Sequence, residues 1–297
     1  MAPDLDPGSA DVAADLVWVY WKFYPSSTGE SDAAILSTLK LIHGEVRPVL
    51  QWHFLRIIDL DGFHIRFRFL APRESADAAV SPFARLSQEV SDSQAGDWRP
   101  IRAHPEQPLA ARRRRSLQWR TYVPELNKWG TGESLRQAHS TFTASSRFAA
   151  DALYVLGDAR DRSLVAMALL SSVVDSLPLQ GEAPAAFLQQ HASWWDPRGS
   201  LAQLNESDTA TMSRVLRRLD APPTQVLPAI EAARIHGAEI AHASLHAGGE
   251  RSPLYFAHQH AHLAINRLGI HGTDEAWISH LVQITRRQHA DRDGRDI

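Results

Sequence analysis

The hydrophobic pattern of this chain changes part-way along, from short apolar runs to long amphipathic segments. The run at 16–24 (LVWVYWKFY) is rich in aromatic and β-branched residues, which predicts a buried strand. Runs at 52–59 and 63–70 flank a short link that carries Asp61 and Gly62, and Asp-Gly between apolar runs predicts a hairpin. A shorter run at 117–123 predicts a further strand.

Helical spacing first occurs at 32–43, where apolar residues recur every three or four positions and Ser31 or Asp32 is the expected N-cap. From Gly132 onward the pattern stays helical. The predicted helices cover 133–157, 160–178, 207–219, 226–247, 253–267 and 273–290. Between 71 and 116 the chain is polar and contains several prolines, and no element is predicted there.

Strands followed by helices predict an α+β fold, with an N-terminal antiparallel or mixed sheet and helices, and a mainly helical C-terminal half. We expect a flexible N-terminus over 1–15 and one domain over 16–297. Its sheet-containing part spans 16–130 and its helical part 131–297.

Composition narrows the class of protein. The 297 residues include no cysteine, which excludes disulfides, thiolate metal sites and a cysteine nucleophile. A net charge of −3 provides no general attraction to nucleic acid. The N-terminus lacks the basic and apolar regions of a signal peptide, and no apolar run reaches about 18 residues. We therefore expect a cytoplasmic protein that does not associate with a membrane.

Strand alternation places His64, Arg66 and Arg68 on one face, opposite a face made only of apolar residues. Guanidinium groups two residues apart lie about 7 Å from each other, a spacing that can hold two carboxylates or stabilise an enolate-like oxyanion. The alternative is a solvated sheet face. A uniformly basic face favours a binding site.

A second group of polar residues lies in the segment FAHQHAHLAINRLG at 256–269. His258 and His262 are four residues apart and share a helix face, which Asn266 extends by one turn. A zinc site would need a further ligand, and the glutamate of HExxH is absent, so no metal is expected. A partly buried histidine suits general-base chemistry near neutral pH.

The run Arg112–Arg115 has two explanations. It is either a solvated charge run or an anchor for an acidic peptide or an RNA tail.

Four segments in order resemble the C-terminal elimination domain of lantibiotic dehydratases, the thiopeptide-type bacteriocin biosynthesis family. They are the aromatic opening strand, WHFLRIIDLDGFHIRFRF, YVPELNKWGTGESLRQAHSTFTASSRFA and HLAINRLGI. In that family the domain removes the Cα proton of a glutamylated Ser or Thr and expels glutamate, leaving dehydroalanine or dehydrobutyrine.

The resemblance implies catalytic roles for Arg66, Arg68, Lys128 and His262. The glutamate carboxylates or the enolate would contact the two arginines, and His262 would act as acid and base. It further implies substrate contacts at Arg56, His64, Asn266 and Arg267. Lys128 stands where the family usually has arginine, and Ser145–Ser146 where it often has Asp-Ser. Lysine keeps the charge but loses bidentate geometry.

The resemblance implies a stand-alone protein without a cofactor, acting on the leader and core of a precursor peptide. A separate glutamylation subunit would be its partner, and no direct contact with tRNA is expected. Two alternatives remain open. One is a thiopeptide synthase that joins two dehydroalanines by a formal [4+2] cycloaddition and releases the leader. The other is a non-catalytic partner subunit.

Overall fold

The structure, a computed structural model, describes residues 15–25, 29–59, 62–92, 115–197, 199, 218, 221–247 and 251–293. They belong to two compact units. Most residues up to Pro124 form the first unit, and the residues from Glu125 onward form the second. The predicted boundary between sheet and helices, at 130 and 131, lies close to this division.

The first unit contains a four-stranded antiparallel sheet with the strand order β2-β3-β1-β4. The strands are β1 (Leu16–Tyr24), β2 (Gln51–Asp59), β3 (Gly62–Pro72) and β4 (Ser116–Arg120). Gly62 has a φ of 92°, a conformation that favours glycine where the chain turns into β3. The predicted strands are therefore all present, with ends shifted by up to three residues.

In the described part of this unit, three helices accompany the sheet: α1 (Ser31–Glu45), α2 (Arg73–Ala78) and α3 (Val80–Asp92). Trp21 lies on the apolar face, with its ring 5.3 Å from that of Phe69 and 5.4 Å from that of Phe83 in α3. Helices α2 and α3 fall in the segment where no element was predicted. Its prolines obscured the apolar spacing of Phe83, Leu86 and Val90, which face the core.

Helix α1 begins at Ser31 with Glu30 as N-cap, so the expectation of Ser31 or Asp32 in that role is wrong. Both side chains instead bind a buried arginine of β2. The guanidinium of Arg56 donates to Ser31 Oγ and, at 2.6 Å, to Asp32 Oδ1. The buried charge of Arg56 needs hydrogen-bond acceptors. The side chains of Ser31 and Asp32 therefore accept from Arg56 and not from the backbone at the start of α1.

From Glu125 onward, the described part of the chain contains helices and no strand. Its helices are α4 (Leu126–Trp129), α5 (Gly132–Val155), α6 (Ala159–Ser176), α7 (Ala183–Trp195), α8 (Leu227–Leu245), α9 (Pro253–Arg267) and α10 (Gly272–Asp293). The helix predicted at 207–219 lies outside the described residues, except for Arg218, which is helical. Helices α4 and α7 were not predicted. The α+β class is confirmed.

Side-chain N-caps stabilise the starts of α6 and α9, and α6 packs closely against α8. Ser252 caps α9 by accepting from the backbone of Tyr255, and Asp158 caps α6 in the same way through Arg160. Helices α6 and α8 approach so closely at Gly237 that a Cβ there would lie 2.5 Å from the carbonyl oxygen of Leu169. In the described part of the chain, no helix is long and apolar enough to cross a membrane.

Candidate functional site

In the first unit, His64 and Arg66 form a hydrogen-bonded pair on β3. Nδ1 of His64 lies 3.0 Å from the carbonyl oxygen of Gly62 and donates to it, because a carbonyl can only accept. Nε2 is then the accepting nitrogen, and Nε of Arg66 donates to it across 3.1 Å. The buried histidine thus orients the half-buried arginine. The solvated-face alternative is wrong for His64 and Arg68, which are 0% and 7% exposed.

Arg68, two residues further along β3, lies in an aromatic cage. Its Cζ is 5.0 Å from the ring centre of Tyr20 and 4.7 Å from that of Tyr122, and Nη1 is 3.5 Å from Nε2 of His53. The register explains this, since Tyr20 pairs directly with Arg68 across β1 and β3. Cation–π contact on two rings holds the guanidinium in one orientation.

Arg56 was expected to contact substrate, but it lies apart from these residues. Its side chain is directed to α1, where Ser31 and Asp32 accept its hydrogen bonds. Only 1% of that side chain is exposed. These contacts join α1 to β2, and contact between Arg56 and a substrate stays a prediction.

In the second unit, Lys128 belongs to a cluster of cations and aromatic rings. Its Nζ lies 5.0 Å from the ring centre of Trp129, which in turn lies 4.9 Å from His260. Burial lowers the pKa of Lys128. Burial, together with electrostatic interactions with Arg267, His236 and Lys128, lowers the pKa of His260 to about 3. His260 is therefore neutral near pH 7.

Arg267 completes this Lys128 cluster from the end of α9. The residue is 0% exposed, its Nε donates to Ser146 Oγ at 2.9 Å, and its Cζ is 5.6 Å from the ring centre of Phe142. Asn266 beside it is buried as well. Of the predicted site residues, Lys128 and Arg267 thus border the same buried histidine.

His262 lies in a different group, the Glu275 centre, formed by His191, His262 and Glu275. Nδ1 of His262 is 2.8 Å and 3.1 Å from the two carboxylate oxygens of Glu275, and Nε2 of His191 is 2.6 Å from Oε1. Glu275 is 0% exposed, whereas 26% of the His262 side chain is exposed. The ring of Trp195 lies 4.9 Å from that of His262.

The three histidines of HQHAH therefore serve two groups. His258 and His262 lie on one side of α9, as their four-residue spacing predicted, and His258 stacks on Phe187 of α7 at 3.8 Å. His260 lies on the other side, because two residues turn a helix by about 200°. Sequence reasoning missed His260, His191 and Glu275. Only the alternation His-x-His-x-His could have suggested His260, while the other two depend on tertiary packing.

Ser145 and Ser146, the positions where the family often has Asp-Ser, hold α5 in place. Ser146 accepts from Arg267, and Ser145 Oγ lies 2.7 Å from Nε2 of His236, whose Nδ1 is 3.0 Å from Glu239. The sequence of contacts from Ser145 to His236 to Glu239 resembles the nucleophile, base and acid of a catalytic triad. Ser145 is only 1% exposed in the middle of a helix, so the arrangement is structural. Among the described residues, no group of three or more His, Asp or Glu side chains is arranged to hold a metal ion.

The sequence matches the family described as lantibiotic biosynthesis dehydratase C-term over residues 18–285, and the chain belongs to that family. A comparison with curated protein sequences gives no significant match.

Solved structures share the fold. The tRNA-dependent lantibiotic dehydratase MibB from Microbispora sp. 107891 is 20% identical with a TM-score of 0.61; the match covers 97% of this chain and 29% of MibB. The chain therefore spans under a third of that protein. TbtD, the pyridine synthase from thiomuracin biosynthesis, is 17% identical with a TM-score of 0.59, covering 90% of this chain and 96% of TbtD. TsrL is 14% identical with a TM-score of 0.50, covering 93% and 96%.

Proposed function

We propose that this protein is a lyase that eliminates glutamate from glutamylated Ser or Thr of a precursor peptide, acting with a separate glutamylation subunit. A base removes the Cα proton, the C–H electron pair forms the Cα=Cβ bond, and the Cβ–O bond breaks. Glutamate leaves as a carboxylate with the electron pair of the Cβ–O bond. His262 is the proposed base. Arg66 and Arg68 bind the carboxylates of the leaving group or the developing enolate.

The observation that carries this proposal is the hydrogen bond between His262 and Glu275. Because Nδ1 donates to the carboxylate, Nε2 is the nitrogen that can take a proton. An imidazole held by a carboxylate is a suitable base near neutral pH, where a positioned base contributes about 10²–10⁴-fold to the rate. The partly exposed histidine beside a fully buried carboxylate gives substrate access to the base without exposing the charge.

The test uses purified protein and a precursor peptide that carries a glutamylated Ser. We expect free glutamate and a dehydroalanine-containing peptide, detected by enzymatic glutamate assay and mass spectrometry. The variant His262→Gln should release glutamate at least about 100-fold more slowly. His242→Gln, which changes an exposed histidine of α8, is the matched control. Absence of glutamate release by the wild type, or a fully active His262→Gln, would contradict the proposal.

A second candidate is formal [4+2] cyclisation of two dehydroalanines, and Lys128 favours it. Lysine cannot form the bidentate contact that an arginine makes with a carboxylate, so this position is less suited to holding glutamate. If the protein eliminates glutamate, Lys128→Arg should preserve or raise the rate of glutamate release. If it cyclises, the wild type should convert a precursor with two dehydroalanines into a ring-bearing product and free leader, and glutamate release should stay absent in both forms.

A further inference from the structure

The carboxylate of Glu275 is a buried anion placed in the first turn of α10. The positive end of the helix dipole stabilises an anion at that position. Hydrogen bonds from two imidazoles also reach it, one from His191 of α7 and one from His262 of α9. A carboxylate without exposed surface needs such partners, since an unpaired buried charge is strongly unfavourable.

His191 contributes as a neutral donor. Burial lowers the pKa of His191 to about 4, although the negative charge of Glu275 opposes that shift. His191 is therefore uncharged near pH 7, and its Nε2 must carry the proton because the carboxylate oxygen accepts. A neutral donor holds the Glu275 carboxylate in place without cancelling its charge, which leaves that charge to act on His262.

The groups around the carboxylate come from three helices. His191 belongs to α7, His258 and His262 belong to α9, and Glu275 itself belongs to α10. His258 stacks on Phe187, and burial lowers its pKa to about 4. Glu275 is the acidic residue that this structure bonds to His262 and to His191, and the two neighbouring histidines are neutral.

We infer that Glu275 is a positioning residue for His262, held in turn by His191, and that it sets the tautomer of the His262 imidazole. The inference rests on the proposed function insofar as it concerns catalysis. Its structural content, an Nδ1–H tautomer fixed by Glu275, does not depend on which reaction the protein performs. Fixing the tautomer makes every His262 ring present Nε2 as the acceptor, as a buried carboxylate does for the histidine of a catalytic triad.

The decisive variant is Glu275→Gln, which keeps the size of the side chain and removes its charge. In protein labelled with ¹⁵N-histidine, long-range ¹H–¹⁵N spectra should show His262 of the wild type as the Nδ1–H tautomer. In Glu275→Gln the imidazole should become a mixture of tautomers, because the glutamine amide can donate to Nδ1 as well as accept from it. Glu239→Gln is the matched control, since it neutralises another glutamate hydrogen-bonded to a histidine, His236.

Kinetics form the second arm. We expect Glu275→Gln to lower kcat for glutamate release at least about 100-fold with little change in KM. His191→Gln retains an N–H donor to Glu275 and should lose less activity than His191→Leu. Circular dichroism and urea unfolding verify that the variants are folded.

The spectra test the positioning role of Glu275, and the kinetics test the elimination function. An Nε2–H tautomer of His262 in the wild type, or an unchanged tautomer in folded Glu275→Gln, overturns the positioning role even if the protein releases glutamate. If the spectra behave as expected and the wild type releases no glutamate, the positioning of His262 stands and the elimination function fails.

Discussion

Arg66 and Arg68 are equivalent in the sequence pattern and differ in the folded protein. Arg66 is half-buried and hydrogen-bonded to His64, while Arg68 lies between two tyrosine rings with 7% of its surface exposed. Alternation along β3 predicted that both would share a face. It could not predict the difference, because the ring of Tyr122 that closes the cage comes from a distant part of the chain.

This difference predicts that two matched variants will differ in their effect on stability. Arg68→Gln should lower the free energy of unfolding by about 1–2 kcal/mol, because it removes cation–π contacts with two rings in a buried place. Arg66→Gln should change that free energy by no more than about 0.5 kcal/mol, as is usual for a partly exposed side chain, and should lower kcat/KM for glutamate release. Urea unfolding and the glutamate assay measure the two effects. Equal destabilisation by both variants would show that the cage is unimportant.

The close packing of α6 against α8 depends on Gly237, which has no side chain. Gly237 of α8 faces α6, where an added Cβ would lie 2.5 Å from a backbone oxygen of Leu169 and 2.8 Å from Cβ of Ser172. Backbone cannot move aside as a flexible side chain can, so the two helices would have to separate.

Gly237→Ala should therefore reduce the free energy of unfolding by about 1–3 kcal/mol, despite the higher helix propensity of alanine. Gly44→Ala in α1 is the control, because nothing lies within 4 Å of the added Cβ. That substitution should be neutral or stabilise by up to about 1 kcal/mol. Urea or thermal unfolding of both variants gives the comparison, and a stability loss in Gly44→Ala equal to that in Gly237→Ala would refute the packing explanation.

Elements were predictable where one face was continuously apolar. Strand β1 and helix α9 have the predicted ends, at 16–24 and 253–267. Helix α7 was not predicted, although its buried residues Phe187, Leu188, His191 and Ala192 have helical spacing. The Glu275 centre was unpredictable for a different reason. Three helices contribute to it, and no local pattern indicates which acidic residue meets which histidine.

At the scale of the whole chain, three histidines of the described residues, His191, His258 and His260, have pKa values that burial lowers strongly, and they predict sensitivity to mild acid. Burial lowers the pKa values of His191 and His258 to about 4 and that of His260 to about 3, from an ordinary value of 6.5. The unfolded chain therefore binds protons that the folded chain does not, between about pH 6.5 and 4. Stability is fully present above that range and falls as the pH decreases through it.

Each of these histidines should contribute a slope of up to about 1.4 kcal/mol per pH unit within that window. Urea unfolding at intervals from about pH 7.5 to 5 measures the total slope. Replacing His258 by glutamine removes one titrating group and should reduce the slope by about one third, since two of the three remain. A free energy of unfolding that stays constant down to about pH 5 would show that these histidines are protonated in the folded state.

The alternation of histidines on α9 has a consequence for comparing members of this family. His260 and His262 are separated by one residue and border different groups, the Lys128 cluster and the Glu275 centre. A gap misplaced by two columns in a multiple alignment would exchange them, and histidine would still match histidine. Assigning the base in a relative from aligned columns alone is therefore unsafe. The glutamate that follows on the next helix is the better marker of which histidine is meant.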